Sequence, residues 1–136
     1  MTENGGKKYF DVWNEVKKET HYRTDIESFF FHEREVWWCR LGINVGFEQD
    51  GKGEYFQRPV VVLKKLNQFD MFAVPLTTNI KKNKYFIPFV GPDGVARAAI
   101  TSQLRRLDIR RLTEKLFTVN VADFNLIKKA VNALLR

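Results

Sequence analysis

Apolar residues recur at helical spacing near both ends of the chain and in short strand-like runs between them. Near the start, an i, i+3, i+4, i+7 pattern predicts an amphipathic helix that ends close to His21. This stripe comprises Tyr9, Val12, Trp13 and Val16. Near the end, a second stripe predicts a C-terminal helix with Asn120 as its N-cap. That stripe comprises Phe124, Ile127, Val131 and Leu134.

The central part of the chain is rich in β-branched and aromatic residues, which favour strands. The predicted strands are 36–41, 59–63, 71–76 and 85–90, with shorter candidates at 98–102 and 116–119. A glycine-rich, charged segment, 42–57, separates the first two and is predicted to be an exposed loop. Five or more short strands with a terminal helix predict a mainly β (α+β) fold, a small antiparallel barrel.

Composition and charge narrow the possible classes of protein. A chain of 136 residues with 44% hydrophobic residues is sufficient for one packed domain. Lys and Arg outnumber Asp and Glu by 23 to 16, and the net charge of +7 attracts polyanions such as nucleic acid, an anionic membrane or an acidic protein. The alternative is a soluble basic protein whose charge has no specific partner. The start of the chain lacks the apolar segment of a signal peptide, and no apolar run approaches the roughly 18 residues of a membrane span. We therefore expect a cytoplasmic protein with no membrane partner.

Most familiar enzyme chemistries find no support in the sequence. Cys39 is the only cysteine, so no intramolecular disulfide or multi-cysteine metal site can form. His21 and His32 are the only histidines, and neither has a second ligand at helical spacing. No P-loop, dinucleotide fingerprint or G-x-S-x-G motif occurs. We therefore expect neither a metal nor a cofactor.

The remaining candidates are cationic and hydroxyl-bearing side chains at strand ends. Arg58 follows the glycine-rich loop, Thr77 and Thr78 follow an apolar strand, and 102–106 (SQLRR) follows another. An arginine fork and a hydroxyl suit a phosphodiester, and the neighbouring 2′-OH of RNA can serve as the nucleophile. Two alternatives stay open: a surface salt bridge from Arg58 to Glu48 or Glu54, and an ordinary turn hydroxyl at Thr77.

Read together, several segments resemble the MazF/PemK family, the endoribonuclease toxins of bacterial toxin–antitoxin pairs. The matching segments, in family order, are 35–38 (EVWW), 41–42 (LG), 46–49 (GFEQ), 58–63 (RPVVVL), 74–78 (VPLTT), 102–108 (SQLRRLD) and 111–112 (RL). The resemblance implies an SH3-like, CcdB/MazF-like barrel over residues 33–136, preceded by an N-terminal helical extension over 1–32. It also implies a homodimer, a cognate antitoxin and a single-stranded RNA (mRNA) substrate.

By the same resemblance, Arg58 and Thr77 occupy the positions of the family's catalytic arginine and threonine. The implied reaction is metal-independent attack by the 2′-OH, leaving a 2′,3′-cyclic phosphate and a 5′-OH. Glu48 is a further candidate, as general base, because a free guanidinium stays protonated at all ordinary pH values. The predicted RNA-binding residues are Gln49, Thr78, Lys81, Ser102, Gln103 and Arg105.

Three features depart from the family pattern. Eight residues separate Gln49 from Arg58, a longer spacing than is usual in the family. Arg106 replaces a common threonine and is expected to add charge at the groove, and residues 1–32 have no counterpart in small members. Two other functions are considered: a gyrase-poisoning CcdB-like toxin, and a nucleic-acid-binding barrel without turnover. The second would bind RNA or DNA phosphates through its lysines and arginines.

Overall fold

The computed structural model describes residues 3–4 and 7–135, and it contains nine strands and two α-helices. The first elements are β1 (Glu3–Asn4), β2 (Lys7–Lys8) and α1 (Phe10–His21), followed by a 3₁₀ turn at Asp25–Ser28. The barrel strands are β3 (Glu35–Arg40), β4 (Gln57–Lys65), β5 (Asp70–Thr77), β6 (Phe86–Val90), β7 (Ala96–Ile100), β8 (Arg105–Asp108) and β9 (Leu112–Thr118). Short 3₁₀ turns cover Thr101–Gln103 and Ile109–Arg111, and α2 (Val121–Ala133) ends the fold.

The seven longer strands, β3 to β9, form one antiparallel, curled sheet; six of them follow the order β6-β7-β5-β4-β3-β9, and β8 pairs with β5 outside this order. Strand β5 is shared along its other edge, because its first half pairs with β8 and its last two residues pair with β7. This sharing bends the sheet into a barrel-like shape. The predicted mainly β architecture with a helix at each end is confirmed, whereas the strand β8 and the β1–β2 pair were not predicted.

Strand β4 is buried on both faces, which explains its unbroken apolar run. Val60 and Val62 belong to one hydrophobic cluster, while Val61 and Leu63 belong to another on the opposite face. Helix α2 covers the second cluster with Phe124, Ile127 and Val131 of its predicted apolar stripe, whereas Leu134 follows the end of the helix and lies outside this cluster. The Asn120 side chain accepts a hydrogen bond from the backbone N–H of Asp123 at 2.8 Å, so the predicted N-cap is confirmed.

Helix α1 packs on the barrel through a third cluster formed by Trp13, Ile43 and Phe56. The Trp13 ring lies against Gly42, where an added Cβ would come within 2.1 Å of the indole. Val12 was predicted to share the buried stripe, but it is 52% exposed. The contacting face of α1 is therefore narrower than the sequence pattern indicated. None of the described helices is both long and apolar enough to cross a bilayer.

Candidate active site

Arg58 and Thr77 line one cavity at the ends of β4 and β5, so the structure brings these two predicted residues together. The pairing of the two strands explains this, because Val60 pairs with Pro75, and Arg58 and Thr77 each lie two residues beyond that pair at the same end of the ladder. We call this space, of about 220 Å³, the Arg58 cavity. Its lining consists of Trp38, Lys52, Gln57, Arg58, Pro59, Leu76, Thr77, Thr78 and Arg97.

The backbone fixes the guanidinium of Arg58. Nε donates to the carbonyl oxygen of Asp50 at 2.9 Å, and Nη1 donates to that of Leu76 at 3.2 Å. Nη2 has no hydrogen-bond partner within the described part of the chain and is available to a ligand. Burial lowers the pKa of Arg58, while the Asp50 carboxylate raises it. Arg58 is thus an oriented, 8% exposed cation, and among the described residues it forms no salt bridge to Glu48 or Glu54.

Thr77 is the last residue of β5 and is partly buried. Its Oγ1 accepts a hydrogen bond from the backbone N–H of Asn79 at 3.0 Å. A hydroxyl carries one hydrogen to donate in addition to its acceptor lone pairs, so this contact leaves the O–H group free to donate. Thr77 therefore has both a turn role and a free donor at the cavity wall. Thr78 lines the same cavity.

A second cavity, of about 460 Å³, lies beside the first and collects most of the other predicted residues. We call it the Arg105 cavity; it is lined by Asn44, Glu48, Gln49, Ser102, Gln103, Leu104 and Arg105. The backbone N–H of Gln49 donates to Gln103 Oε1 at 3.2 Å, which ties the 42–57 loop to the turn after β7. Burial, and then the charge of Arg111, lowers the pKa of Arg105.

Asp50 connects the two cavities, since it follows Gln49 directly and its carbonyl holds Arg58. Two predicted positions fall elsewhere. Lys81 is exposed and lines neither cavity. The expectation that Arg106 adds charge at the groove is wrong, because its guanidinium pairs with Asp70 of the adjacent strand β5 and lines neither cavity.

Sequence reasoning did not single out Arg97, although it lines the Arg58 cavity. Arg97 forms a two-point ion pair with Asp93 (2.8 and 3.0 Å), and its guanidinium lies 5.0 Å from the centre of the Phe117 ring. Its neighbour Ala98 pairs with Thr77 in the sheet. That register is the signal that would have identified Arg97, but it cannot be read from strand patterns alone.

Lys8, in the N-terminal extension, holds the loop that carries Gln49 and Asp50. Its Nζ donates to the carbonyl oxygens of Asn44 at 2.7 Å and Gly46 at 3.0 Å, and lies 3.0 Å from Asp50 Oδ2. The other carboxylate oxygen of Asp50 accepts from the backbone N–H of Asn44 at 2.7 Å. A chain of contacts therefore runs from the extension through Asp50 to Arg58.

Replacing Lys8 with methionine is expected to loosen this loop. A hydrogen bond to a charged group contributes roughly 1.5–3 kcal/mol, so the Asn44 amide should exchange with solvent about 10- to 150-fold faster. Hydrogen-exchange mass spectrometry of the 42–57 segment measures this. Lys18→Met is the matched control, because among the described residues the Lys18 ammonium pairs only with the exposed Glu15. Equal exchange in both variants would contradict the Lys8 contact.

Known proteins resemble both the sequence and this architecture. The sequence profile of the PemK-like, MazF-like toxin family of type II toxin–antitoxin systems matches residues 32–135. No curated protein matches the chain. A crystal structure of MazF from Deinococcus radiodurans has a TM-score of 0.66 at 20% identity, covering 79% of this chain and 98% of that one.

Two structures of complexes are similar in fold. One is a MazE–MazF complex from Deinococcus radiodurans, with a TM-score of 0.62 at 22% identity, covering 79% of this chain and 97% of that one. The other is an endoribonuclease in complex with its cognate antitoxin from a mycobacterial species, with a TM-score of 0.60 at 18% identity, covering 78% and 95%. At these identities the likeness shows a MazF-like fold, as the sequence resemblance implied.

Proposed function

Because this chain belongs to the PemK-like, MazF-like family of type II toxin–antitoxin toxins, we propose that it is a sequence-selective endoribonuclease that cleaves single-stranded RNA. The observation that carries the proposal is the convergence of Arg58 and Thr77 on one cavity. Among the described residues, three cations and no carboxylate line this cavity. Such a lining suits the charge of a phosphodiester and the planar fork of arginine.

In the proposed reaction, the 2′-OH of the RNA attacks the adjacent phosphorus and the 5′-oxygen leaves. The 2′-OH loses its proton to a base and the leaving oxygen gains one, giving a 2′,3′-cyclic phosphate and a 5′-OH. Charge builds on the non-bridging oxygens during attack, and Nη2 of Arg58 and the hydroxyl of Thr77 donate to them. Both donors are already oriented by the backbone, so little reorganisation is needed at the transition state. This scheme uses neither a metal nor a cofactor.

Glu48 was a candidate general base, but its position argues against this role. Glu48 lines the Arg105 cavity, and its Oε1 accepts from the backbone N–H of Val45 at 2.9 Å. We therefore expect Glu48→Gln to change RNA affinity without removing the ascending limb of the pH–rate profile. The measurement is single-turnover cleavage between about pH 4 and 8, the range in which a carboxylate base would titrate. A flattened limb in the variant would restore Glu48 as the base.

For partners, we propose a cognate antitoxin, a homodimeric toxin and a cytoplasmic location. Solved relatives of this fold include complexes described as MazE–MazF and as an endoribonuclease with its cognate antitoxin. We propose the Arg105 cavity as the place where further nucleotides bind. Gln49, Ser102, Gln103 and Arg105 line it beside the phosphodiester position, and they offer amide, hydroxyl and guanidinium donors.

The decisive experiment is incubation of the purified protein with a long defined RNA in EDTA, followed by mapping of the new ends. We expect cuts at a restricted set of unpaired sequences. The downstream fragment should begin with a 5′-OH, which can be labelled with phosphate without prior dephosphorylation. The upstream fragment should end in a 2′,3′-cyclic phosphate. Tight binding without product on prolonged incubation would favour the non-catalytic barrel. Cleavage only with added divalent metal would overturn the mechanism.

A further inference from the structure

A third cavity, of about 640 Å³, opens next to the Arg58 cavity on the side of strand β3. We call it the Tyr55 cavity. Trp38, Lys52 and Gln57 line both spaces, so the two are contiguous. If a phosphodiester of the RNA occupies the Arg58 cavity, the neighbouring nucleotide of the same RNA reaches the Tyr55 cavity. The residues predicted from the sequence to be catalytic or RNA-binding do not line this cavity.

The Tyr55 cavity offers aromatic surface that the protein holds in place. Tyr55 is 39% exposed, and the Arg40 guanidinium lies 4.9 Å from its ring centre. Arg40 is itself fixed by α1, because its Nη1 donates to Thr20 Oγ1 at 3.0 Å and lies 3.6 Å from a carboxylate oxygen of Glu19. An oriented aromatic face is the surface on which unpaired bases stack.

The loop that carries Tyr55 is a tight hairpin. Lys52 and Gln57 exchange two backbone hydrogen bonds, each of 2.8 Å. Gly53 has a φ of 77° within the turn, a conformation that glycine adopts without strain. This hairpin lies within the long spacing between Gln49 and Arg58. The cavity is therefore built by residues that a shorter loop would lack.

The charges of the Tyr55 cavity favour an uncharged ring over a phosphate. The positive charges of Arg40 and Lys52 are balanced by the negative charges of Glu54 and Glu114. The lining of the Arg58 cavity, in contrast, has cations and no described carboxylate. Gln57 Oε1 already accepts from Thr113 Oγ1 at 2.6 Å, so its amide N–H groups are left to donate. The carboxylates of Glu54 and Glu114 accept no side-chain hydrogen bond within the described part of the chain, so they are free to accept from an exocyclic amino group.

We propose that the Tyr55 cavity is a base-specificity subsite for the nucleotide next to the cleaved linkage. One unpaired base stacks on Tyr55 and Trp38, and the carboxylate of Glu54 or Glu114 accepts a hydrogen bond from the amino group of that base. The inference rests on the proposed function, since that function places the phosphodiester in the Arg58 cavity. Adenine, cytosine and guanine carry such an amino group, so uracil is the disfavoured base at this position.

The test compares Tyr55→Ala, Tyr55→Phe and Tyr85→Ala on short RNAs that differ only in the nucleotides flanking the mapped cut. Base stacking lost to alanine weakens binding about 5- to 150-fold per base. Tyr55→Ala should raise KM by that factor and abolish discrimination at one flanking position, with kcat within a few-fold. Tyr55→Phe retains the ring and should restore both. Tyr85 is the matched control, being 37% exposed with a lysine over its ring at 5.2 Å.

Kd values on RNA with a single 2′-deoxynucleotide at the cut position separate the subsite from the chemistry, because that RNA lacks the nucleophile. Binding weakened by Tyr55→Ala but not by Tyr85→Ala supports the subsite even if no RNA is cut, an outcome that overturns only the proposed function. Efficient cutting by wild type with unchanged base preference in Tyr55→Ala overturns the subsite alone. Equal losses on every flanking base also overturn it, since they indicate a structural effect.

Discussion

Replacing Arg58 with alanine is expected to lower the rate of RNA cleavage by about 10²–10³-fold or more, the usual cost of removing a preorganised oxyanion donor. The carbonyls of Asp50 and Leu76 hold the guanidinium before substrate arrives, so the loss should fall mainly on kcat. Arg58→Lys retains a charge but not the fork, and should be only partly active. Single-turnover cleavage of a defined RNA in EDTA measures all three proteins.

Stability must be measured alongside, because Arg58 is buried. Its removal takes a hydrogen bond from the carbonyl oxygens of Asp50 and Leu76, which costs roughly 1–3 kcal/mol, although the Asp50 carbonyl still accepts from Gln49 Nε2 at 3.2 Å. Thr77 supplies the second variant, since Thr77→Val removes the hydroxyl with little change in volume, while Thr77→Ser keeps it. We expect Thr77→Val to cut slowly and Thr77→Ser to cut nearly as well as wild type. Wild-type cleavage by both Thr77→Val and Arg58→Lys would refute the assignment.

The strands and the C-terminal helix could be predicted because burial imposes a pattern on them. Strand β4 reads as a continuous apolar run since both of its faces are covered, and α2 has a stripe because only one of its faces is. Strand β8 was not predicted because it lacks such a pattern: it is short and charged at most positions. Only its pairing with Asp70–Ala73 of β5 makes it a strand.

The site was predicted in its residues but not in its arrangement. Arg58 and Thr77 follow from residue type and from resemblance, and the pairing of β4 with β5 then brings the ends of both strands to one cavity. The sequence could not indicate that Glu48 faces a neighbouring cavity or that Arg97 joins the Arg58 cavity. Both facts depend on strand register and loop conformation, which are set by contacts distant in sequence.

The N-terminal extension is the part of the chain whose role depended most on the structure. Its helix α1 was predicted, but not that Trp13 packs against Gly42 and Phe56 at the two ends of the site loop. The Trp13 and Phe56 rings meet edge to face with centres 5.6 Å apart. Phe56 lies two residues before Arg58, so α1 supports the loop from which the guanidinium is held.

Replacing Trp13 with alanine is therefore expected to destabilise the protein by about 3–5 kcal/mol, the usual cost of truncating a buried tryptophan. Urea unfolding measures this as a lower midpoint with an unchanged slope. Val12→Ala is the matched control on the same helix, since Val12 is 52% exposed while Trp13 is 7% exposed, and it should change stability by less than about 0.5 kcal/mol. If α1 is instead a dispensable appendage, the two substitutions will have equally small effects. If it supports the loop, Trp13→Ala will also slow RNA cleavage in the fraction that remains folded, whereas Val12→Ala will not.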